Sequence, residues 1–394
     1  MEILHWIQDL GQYLHVIRRR NALRQPGQGV NYAAAKVTTQ QIVERLHPAR
    51  MKLRVTEIVQ ETPSTKTLRF ERTDGPLPPF RPGQYVNIFV DVDGVLTSRP
   101  YSISSAPGAA EAAATLDLTV RGKPGGFVAP FLLNQVMVGD EFETTGPSGS
   151  FYHEPLIDGE DLVFLAGGSG ITPFMSIIRD AFGSDEAPPS LRIHLLYGSR
   201  VPDDVIFGAE LAALAEQHPA LSYSPILSEP PPGYEGLTGF LDAAAIRQLV
   251  GDLSGKTVYV CGPNVMYGFC LEALTELGVP SYRIKRELYG PPDDVTQEPG
   301  WPQDLDAGTL FEIEVEGRET IRAAAGEPLL NSLERYGIVV PAVCRAGACS
   351  ACRTRLLAGR VFQPADTGLR ESDREHGYIH ACVSYPLENL RIRV

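Results

Sequence analysis

Hydrophobic and polar positions change their period several times along the chain, and each change marks a different kind of structure. The segments KLRVTEIVQ, KTLRFER, QYVNIFVDV and LDLTVRG, all within residues 50–155, alternate or are rich in β-branched and aromatic residues. Pro and Gly separate them, as in PLPPFRPG and SAPGA. Many short strands so spaced predict an antiparallel β-barrel. From about residue 156 the pattern turns to buried strand, glycine turn and helix in DLVFLAGGSGITPFMSIIRDAF. LRIHLLYGSR reads as a strand, VIFGAELAALAEQ as a helix, and KTVYVCGPNVMYGFCLEALTEL as strand, turn and helix again. That alternation predicts an α/β domain with a parallel sheet covered on both faces over 156–289.

Residues 290–308, rich in Pro, Gly and Asp, lack apolar periodicity and read as a linker, with Trp301 placed to tack it onto a neighbouring surface. Beyond it, TLFEIEVEG and ETIRAAAG read as a hairpin and EPLLNSLERYG as a short helix, opening a final domain over 309–394. At the other end, Ile3, Leu4, Trp6, Ile7, Leu10, Leu14 and Ile17 recur at near-helical spacing. An amphipathic helix is expected there, within an N-terminal helical extension over 1–49. QPGQGVNYAAAK reads as an extended connector inside that extension.

The chemistry is concentrated near the C-terminus. Cys344, Cys349 and Cys352 lie in CRAGACSAC, and Cys382 follows thirty residues later. C-x4-C-x2-C with a distant fourth cysteine is the ligand spacing of a plant-type [2Fe–2S] cluster. Three thiolates on one tight loop wrap a face of the cluster, and Gly347 lets the backbone come close to the sulfides. A zinc site competes, but structural zinc favours two paired C-x2–4-C knuckles, and only one C-x2-C is present. A Rieske centre needs two histidine ligands, which the loop lacks. With 6 Cys in 394 residues and no secretory pattern at the start, a disulfide framework does not fit. Cys261 and Cys270 read as reduced intracellular thiols, and the expected location is cytoplasmic.

Net charge of −13 argues against nonspecific nucleic-acid binding. No apolar run is long enough to span a bilayer. Arg18, Arg19 and Arg20 follow the N-terminal apolar stretch rather than precede it, the wrong order for a secretory signal. Packing of that stretch on protein is therefore favoured over a membrane surface. The turn Gly167, Gly168, Ser169, Gly170, Ile171, Thr172, Pro173 joins a strand to a helix and can present backbone N–H groups to a pyrophosphate. It is not the G-x-G-x-x-G fingerprint, because Pro173 stands at the last position, and a ligand-free tight turn explains it equally well.

Taken together, these segments resemble the ferredoxin–NADP reductase superfamily, and most closely its multidomain members with a C-terminal plant-type ferredoxin domain, such as the reductase components of phenylacetyl-CoA epoxidase and ketosteroid hydroxylases. The resemblance spans roughly 50–394 and follows the order flavin, nucleotide, iron–sulfur. It implies a flavin-binding barrel over 50–155, an NAD(P)H-binding domain over 156–289 and an α+β ferredoxin-like (β-grasp) domain over 309–394.

By this resemblance Arg99, Pro100, Tyr101 and Ser102 are the flavin motif. Arg99 meets flavin phosphate, Tyr101 packs on the ring, and Ser102 hydrogen-bonds near the reactive nitrogen. Gly125, Gly126, Phe127 and Val128 open the second flavin segment. Ala129 stands where relatives carry Ser or Thr, which leaves FAD favoured but FMN open. Gly168, Gly170, Thr172 and Pro173 match the nucleotide loop. Cys261, Gly262 and Pro263 match the C-G-P whose cysteine lies near the nicotinamide. Tyr289 matches an aromatic that sits by the flavin, while Glu287 beside it reads equally well as a solvated strand residue. Tyr101, Ser102 and Cys261 are thus the residues expected at the chemistry.

For the donor, Ser199 and Arg200 suit a 2′-phosphate but Asp203 and Asp204 oppose one, so NADH is favoured over NADPH. The implied activity is an NAD(P)H oxidoreductase passing electrons through flavin and cluster to an acceptor protein, an oxygenase component above all. A corrinoid or other anaerobic acceptor, a redox sensor with little turnover, and a flavin or ferric reductase with an incidental cluster are the alternatives. The extension is a candidate for partner docking or dimerisation.

Overall fold

The computed structural model describes residues 14, 18, 32–123, 125–183, 191–365 and 367–394. It divides into two units, Met1–Pro48 and Ala49–Val394. In the first, Tyr32–Leu46 is a helix, α1. The connector expected across this stretch is thus helical from Tyr32 onward, because Ala33, Ala34 and Ala35 are the strongest helix formers and outweigh the preceding glycines. The amphipathic helix expected over 1–17 lies outside the described residues apart from Leu14.

The second unit contains three main sheets. The first is antiparallel: β1 (Met51–Thr62), β2 (Thr65–Arg72), β3 (Tyr85–Val92), β4 (Val95–Ser102), β5 (Thr115–Arg121) and β6 (Glu141–Thr144), in the order β4-β3-β6-β1-β2-β5. An isolated bridge between Ile103 and Leu118 links the two ends, so the sheet curls into the expected barrel. Alternation does the work: Met51, Leu53 and Val55 point inward from β1, and Val86, Ile88, Val90 and Val92 from β3. The flavin motif is itself a strand, β4, paired residue for residue with β3.

The second sheet is wholly parallel. It comprises β7 (Asp161–Gly167), β8 (Arg192–Ser199), β9 (Leu221–Leu227), β10 (Leu237–Thr238), β11 (Thr257–Cys261) and β12 (Ile284–Glu287), in the order β10-β9-β8-β7-β11-β12. Its central strand is buried on both faces: Leu162, Phe164 and Ala166 enter one core, Val163 and Leu165 the other. From β7 the chain builds outward first through β8 to β10, then returns to lay β11 on the opposite side. The switch point thus falls between β7 and β11, where open α/β sheets bind ligands at the strands' carboxyl ends.

The third sheet runs β14 (Thr320–Ala324), β13 (Leu310–Val315), β19 (Leu390–Arg393), β15 (Arg353–Ala358), β17 (Tyr378–His380), with β13 and β19 parallel, while β16 (Val361–Phe362) and β18 (Tyr385–Pro386) pair with each other. Helix α2 (Leu329–Arg335) packs into it through Leu329, Leu330 and Leu333, the β-grasp arrangement. Residues 290–308 lie along this part: Trp301 is buried, edge-on to Phe362 at 5.3 Å and to Tyr385 at 6.2 Å. Among the described residues no helix is long and apolar enough to cross a membrane.

Candidate functional site

A cavity of about 240 Å³ opens beside β4. Arg99, Pro100 and Tyr101 form one wall, Gly126, Phe127, Val128 and Ala129 another, and Tyr289 and Gly290 a third. The remaining wall comes from the ferredoxin-like part: Leu330, Asn331, Arg345 and the cluster cysteine Cys382. Residues more than two hundred positions apart in sequence therefore share one space. The Ser102 and Tyr289 hydroxyls are in hydrogen-bond contact, which fixes the phenol ring across the cavity mouth. Burial raises the phenol of Tyr101 above its ordinary value and that of Tyr289 well above it, so both stay neutral, stackable rings. Arg99 is pushed down to about 10, first by burial and then by the like charge of Arg345, with Glu334 offsetting part of this. It remains a cation at neutral pH.

Gly125 has φ +70°, and the Gly126 amide donates to Lys123 O at 3.0 Å, a tight turn into the short helix Val128–Asn134. Ala129 offers no hydroxyl, but the charge, aromatic faces and open backbone suit a flavin and its phosphate.

At the switch point of the parallel sheet, Gly168–Gly170 forms a 3-10 turn that leads into helix α3 (Ile171–Phe182). Pro173 falls in the first turn, where its missing N–H costs nothing. Gly170 is forced by packing: a Cβ there would sit 2.2 Å from Cys261 O. Gly167 and Gly262 meet in the same way, each within 2.5 Å of Met266 Sδ if given a Cβ. Thr172 spends its hydroxyl on Ser169 O at 3.0 Å. The nucleotide loop and the C-G-P loop are thus one interlocked surface.

Cys261 is fully buried, and burial raises its thiol well above the usual range, with Glu287 adding to the shift. Glu287 pairs with Cys261 across β11 and β12. It is half-buried rather than solvated, the correction to the open reading above. Desolvation pushes its carboxyl up to about 8. Its burial comes from its place opposite Cys261 at the end of the edge strand β12, which the short segment IKRE does not advertise.

For the donor preference, Ser199 is buried, and Arg200 Nε lies 3.4 Å from Asp204, which also accepts Arg121 at 2.9 Å. The cation that could meet a 2′-phosphate is already paired.

The four cluster cysteines come together as two pairs. Cys344 and Cys349 shift each other's thiols in opposite directions, and so do Cys352 and Cys382, through hydrogen bonding within each pair. Among the described residues no three such side chains converge on a single point that would hold one metal ion. Two thiols for each of two irons fit a [2Fe–2S] cluster. Backbone N–H groups of Ala346, Ala348 and Cys349 point at Cys344 Sγ from 3.3 to 3.4 Å, donors suited to a thiolate. The Cys349 thiol is held below its ordinary value, chiefly by hydrogen bonding from Cys344. Cys349 is exposed while the other three are buried. Gly347 has φ +76°, and a Cβ there would lie 2.8 Å from Val383 Cγ2. Arg345 and Ser350 also take positive φ, 55° and 58°. Cys261 and Cys270 are free and buried.

A flavin seat, a nucleotide cleft and a two-iron thiol set on one chain define a flavin- and iron–sulfur-dependent oxidoreductase, and the comparisons agree. An oxidoreductase FAD-binding domain matches residues 52–153, an oxidoreductase NAD-binding domain 164–272, and a 2Fe-2S iron-sulfur cluster binding domain 313–387. The ferredoxin reductase component of 3-ketosteroid-9-alpha-monooxygenase from Mycobacterium tuberculosis is 30% identical over 352 residues, covering 85% of this chain and 93% of that protein. The glycine betaine monooxygenase reductase subunit of Chromohalobacter salexigens is 27% identical, over 87% of this chain and 95% of the relative. Phthalate dioxygenase reductase superposes with a TM-score of 0.64 at 20% identity, over 88% of this chain and 98% of its own, and so shares the fold. The chain belongs to the ferredoxin–NADP reductase superfamily, in the branch that carries FAD-binding, NAD-binding and [2Fe–2S] domains together.

Proposed function

We propose that this protein is the reductase component of an oxygenase system, drawing electrons from NADH and delivering them one at a time to its oxygenase partner. The observation that carries the reading is the shared wall: Cys382, a cluster ligand candidate, lines the same cavity as Arg99, Tyr101 and Tyr289. Bound flavin supplies the conversion between the two-electron chemistry of a nicotinamide and the one-electron chemistry of an iron–sulfur centre. The chain's own residues do the rest. Arg99 would hold the flavin phosphate and Tyr101 and Tyr289 would pack on the flavin, while the Ser102 hydroxyl fixes Tyr289. The interlocked glycine loops would hold the nucleotide near Cys261, whose neutral buried thiol keeps water out. The exposed Cys349 would present the cluster to an acceptor.

In this reading the flavin domain spans 50–155, the nucleotide domain 156–289 and the cluster domain 309–394, with 290–308 as a packed connector. The extension over 1–49 is proposed to dock the partner or a second copy, and the location is proposed to be cytoplasmic. The pairing of Arg200 with Asp204 favours NADH. The oxygenase assignment follows the named relatives, which are reductase components of oxygenases.

The test is NADH-driven reduction of cytochrome c, a one-electron protein acceptor, by the native chain and by Cys349→Ser. The variant should lose most of that activity yet retain NADH–ferricyanide turnover, which needs only the flavin. Full cytochrome c reduction by the variant would make the cluster incidental and overturn the reading.

A further inference from the structure

One hydroxyl sits between the flavin seat and the cluster loop with every hydrogen-bonding position engaged. Thr97, two residues before Arg99 on β4, donates from Oγ1 to Glu334 Oε2 at 2.9 Å. It accepts from Arg99 Nη1 at 2.7 Å and from Arg345 Nη2 at 2.9 Å. A threonine hydroxyl has one proton and two lone pairs, so these three bonds exhaust it and fix its orientation. Arg345, next to cluster residue Cys344, also forms an ion pair with Glu334 and reaches Asn331 Oδ1 at 3.4 Å. Arg99 makes a second bond, to Ser98 O at 2.8 Å. The site is dry: Thr97 is 6% exposed and Arg345 4%. Arg99 and Arg345 both line the flavin cavity, and Arg345 Nε is buried with no partner. Two guanidiniums thus meet one carboxylate, leaving a net positive charge directed at the cavity.

We propose that Thr97 is a positioning residue that couples occupation of the flavin seat to the docking of the cluster loop, with Arg345 lending the second cation toward the flavin phosphate. This rests on the reading that the Arg99 cavity holds the flavin. An anionic phosphate that draws Arg99 and Arg345 to itself must act through the hydroxyl they share. Coupling is reciprocal: if flavin orders the cluster loop, a properly docked loop must tighten flavin binding by the same factor. Removing the hydroxyl at constant shape, as in Thr97→Val, leaves Glu334 and two buried N–H groups short of a partner. Thr97→Ser keeps all three bonds.

The experiment uses the full chain with its cluster assembled, stripped of flavin and titrated with FAD by fluorescence quenching. Amide hydrogen exchange is followed in 97–102 and in 331–346 before and after FAD. In the native chain FAD should slow exchange in both segments. Thr97→Val should bind FAD about tenfold more weakly, as expected for lost hydrogen bonds to charged groups. It should also confine the protection to 97–102, and Thr97→Ser should restore both. Protection confined to 97–102 in the native chain overturns the coupling without any variant. So does native transmission in Thr97→Val, or failure of Thr97→Ser to restore it. Arg99→Ala separates the two levels: unchanged FAD affinity there overturns the flavin-seat reading itself, whereas lost affinity there with native behaviour in Thr97→Val overturns only the coupling.

Discussion

The cluster loop and the nucleotide loop both look glycine-rich and tight, yet they are built on different constraints. In the cluster loop Arg345, Gly347 and Ser350 all take left-handed backbone, and only one of the three is glycine. Non-glycine residues there cost on the order of 1 kcal/mol each, a strain tolerated because the turn must aim amides at Cys344 Sγ. In the nucleotide loop Gly170 has an ordinary φ of −64°, and it is glycine because Cys261 O stands where a Cβ would be. One loop is shaped by what its backbone must point at, the other by what its backbone must pass. The first tolerates side chains in unusual conformations, and the second tolerates none at Gly170.

The strongest challenge to this contrast is at the cluster. Cys382→Ser should abolish the [2Fe–2S] absorbance and circular dichroism outright while leaving the flavin bands, because one of two thiols on an iron is lost. Survival of a full cluster signal would mean the pairing of Cys352 with Cys382 is misread. Next is Gly170→Ala. A Cβ within 2.2 Å of backbone demands a shift of two strands' ends, worth about 1–3 kcal/mol of stability. A thermal melt should register the loss together with weakened NADH binding. A wild-type melting curve would show that the loops are not interlocked as described.

Glu287, beneath the nucleotide loop, gives a smaller, pH-dependent effect. Its folded-state value of about 8 lies above the ordinary 4.5, so the folded protein holds this proton more tightly than the unfolded chain. The stabilising contribution is complete below the ordinary value and is lost as pH rises through about 8. Melting temperature should fall between about pH 5 and 8 in the native chain more than in Glu287→Gln. Parallel curves would place the carboxylate in water. The smallest effect concerns the donor: Asp204→Asn frees the exposed Arg200 and should raise kcat/KM for NADPH several-fold, about 1 kcal/mol or less. No change in the NADPH to NADH ratio would remove this arginine from the specificity question.

What could be read from the chain follows the same division. The cluster spacing announces itself because three of its four ligands lie within nine residues of one another, and the strand–turn–helix rhythm around Gly168 is equally local. The β4 strand does not alternate visibly: Leu96 points outward, 60% exposed, and Arg99 and Pro100 interrupt it, so its role as a barrel strand appears only through pairing with β3. The outer strands β9, β10 and β12 are short or polar and carry too little period to be seen. Glu287 is buried by neighbours from other elements, so its own segment holds no sign of its shifted carboxyl. The meeting of Thr97 with Arg345 spans 248 positions, beyond any local pattern. Gly347 was legible as necessary, but the neighbour requiring it, Val383, was not.

The most direct measurement is an anaerobic absorbance titration of the purified protein with NADH, and separately with NADPH. If the flavin seat and the cluster share a wall, NADH should bleach the flavin and [2Fe–2S] bands together, with NADPH needing a clear excess. Bleaching of the flavin alone, with the cluster left oxidised, would contradict the electron path described here.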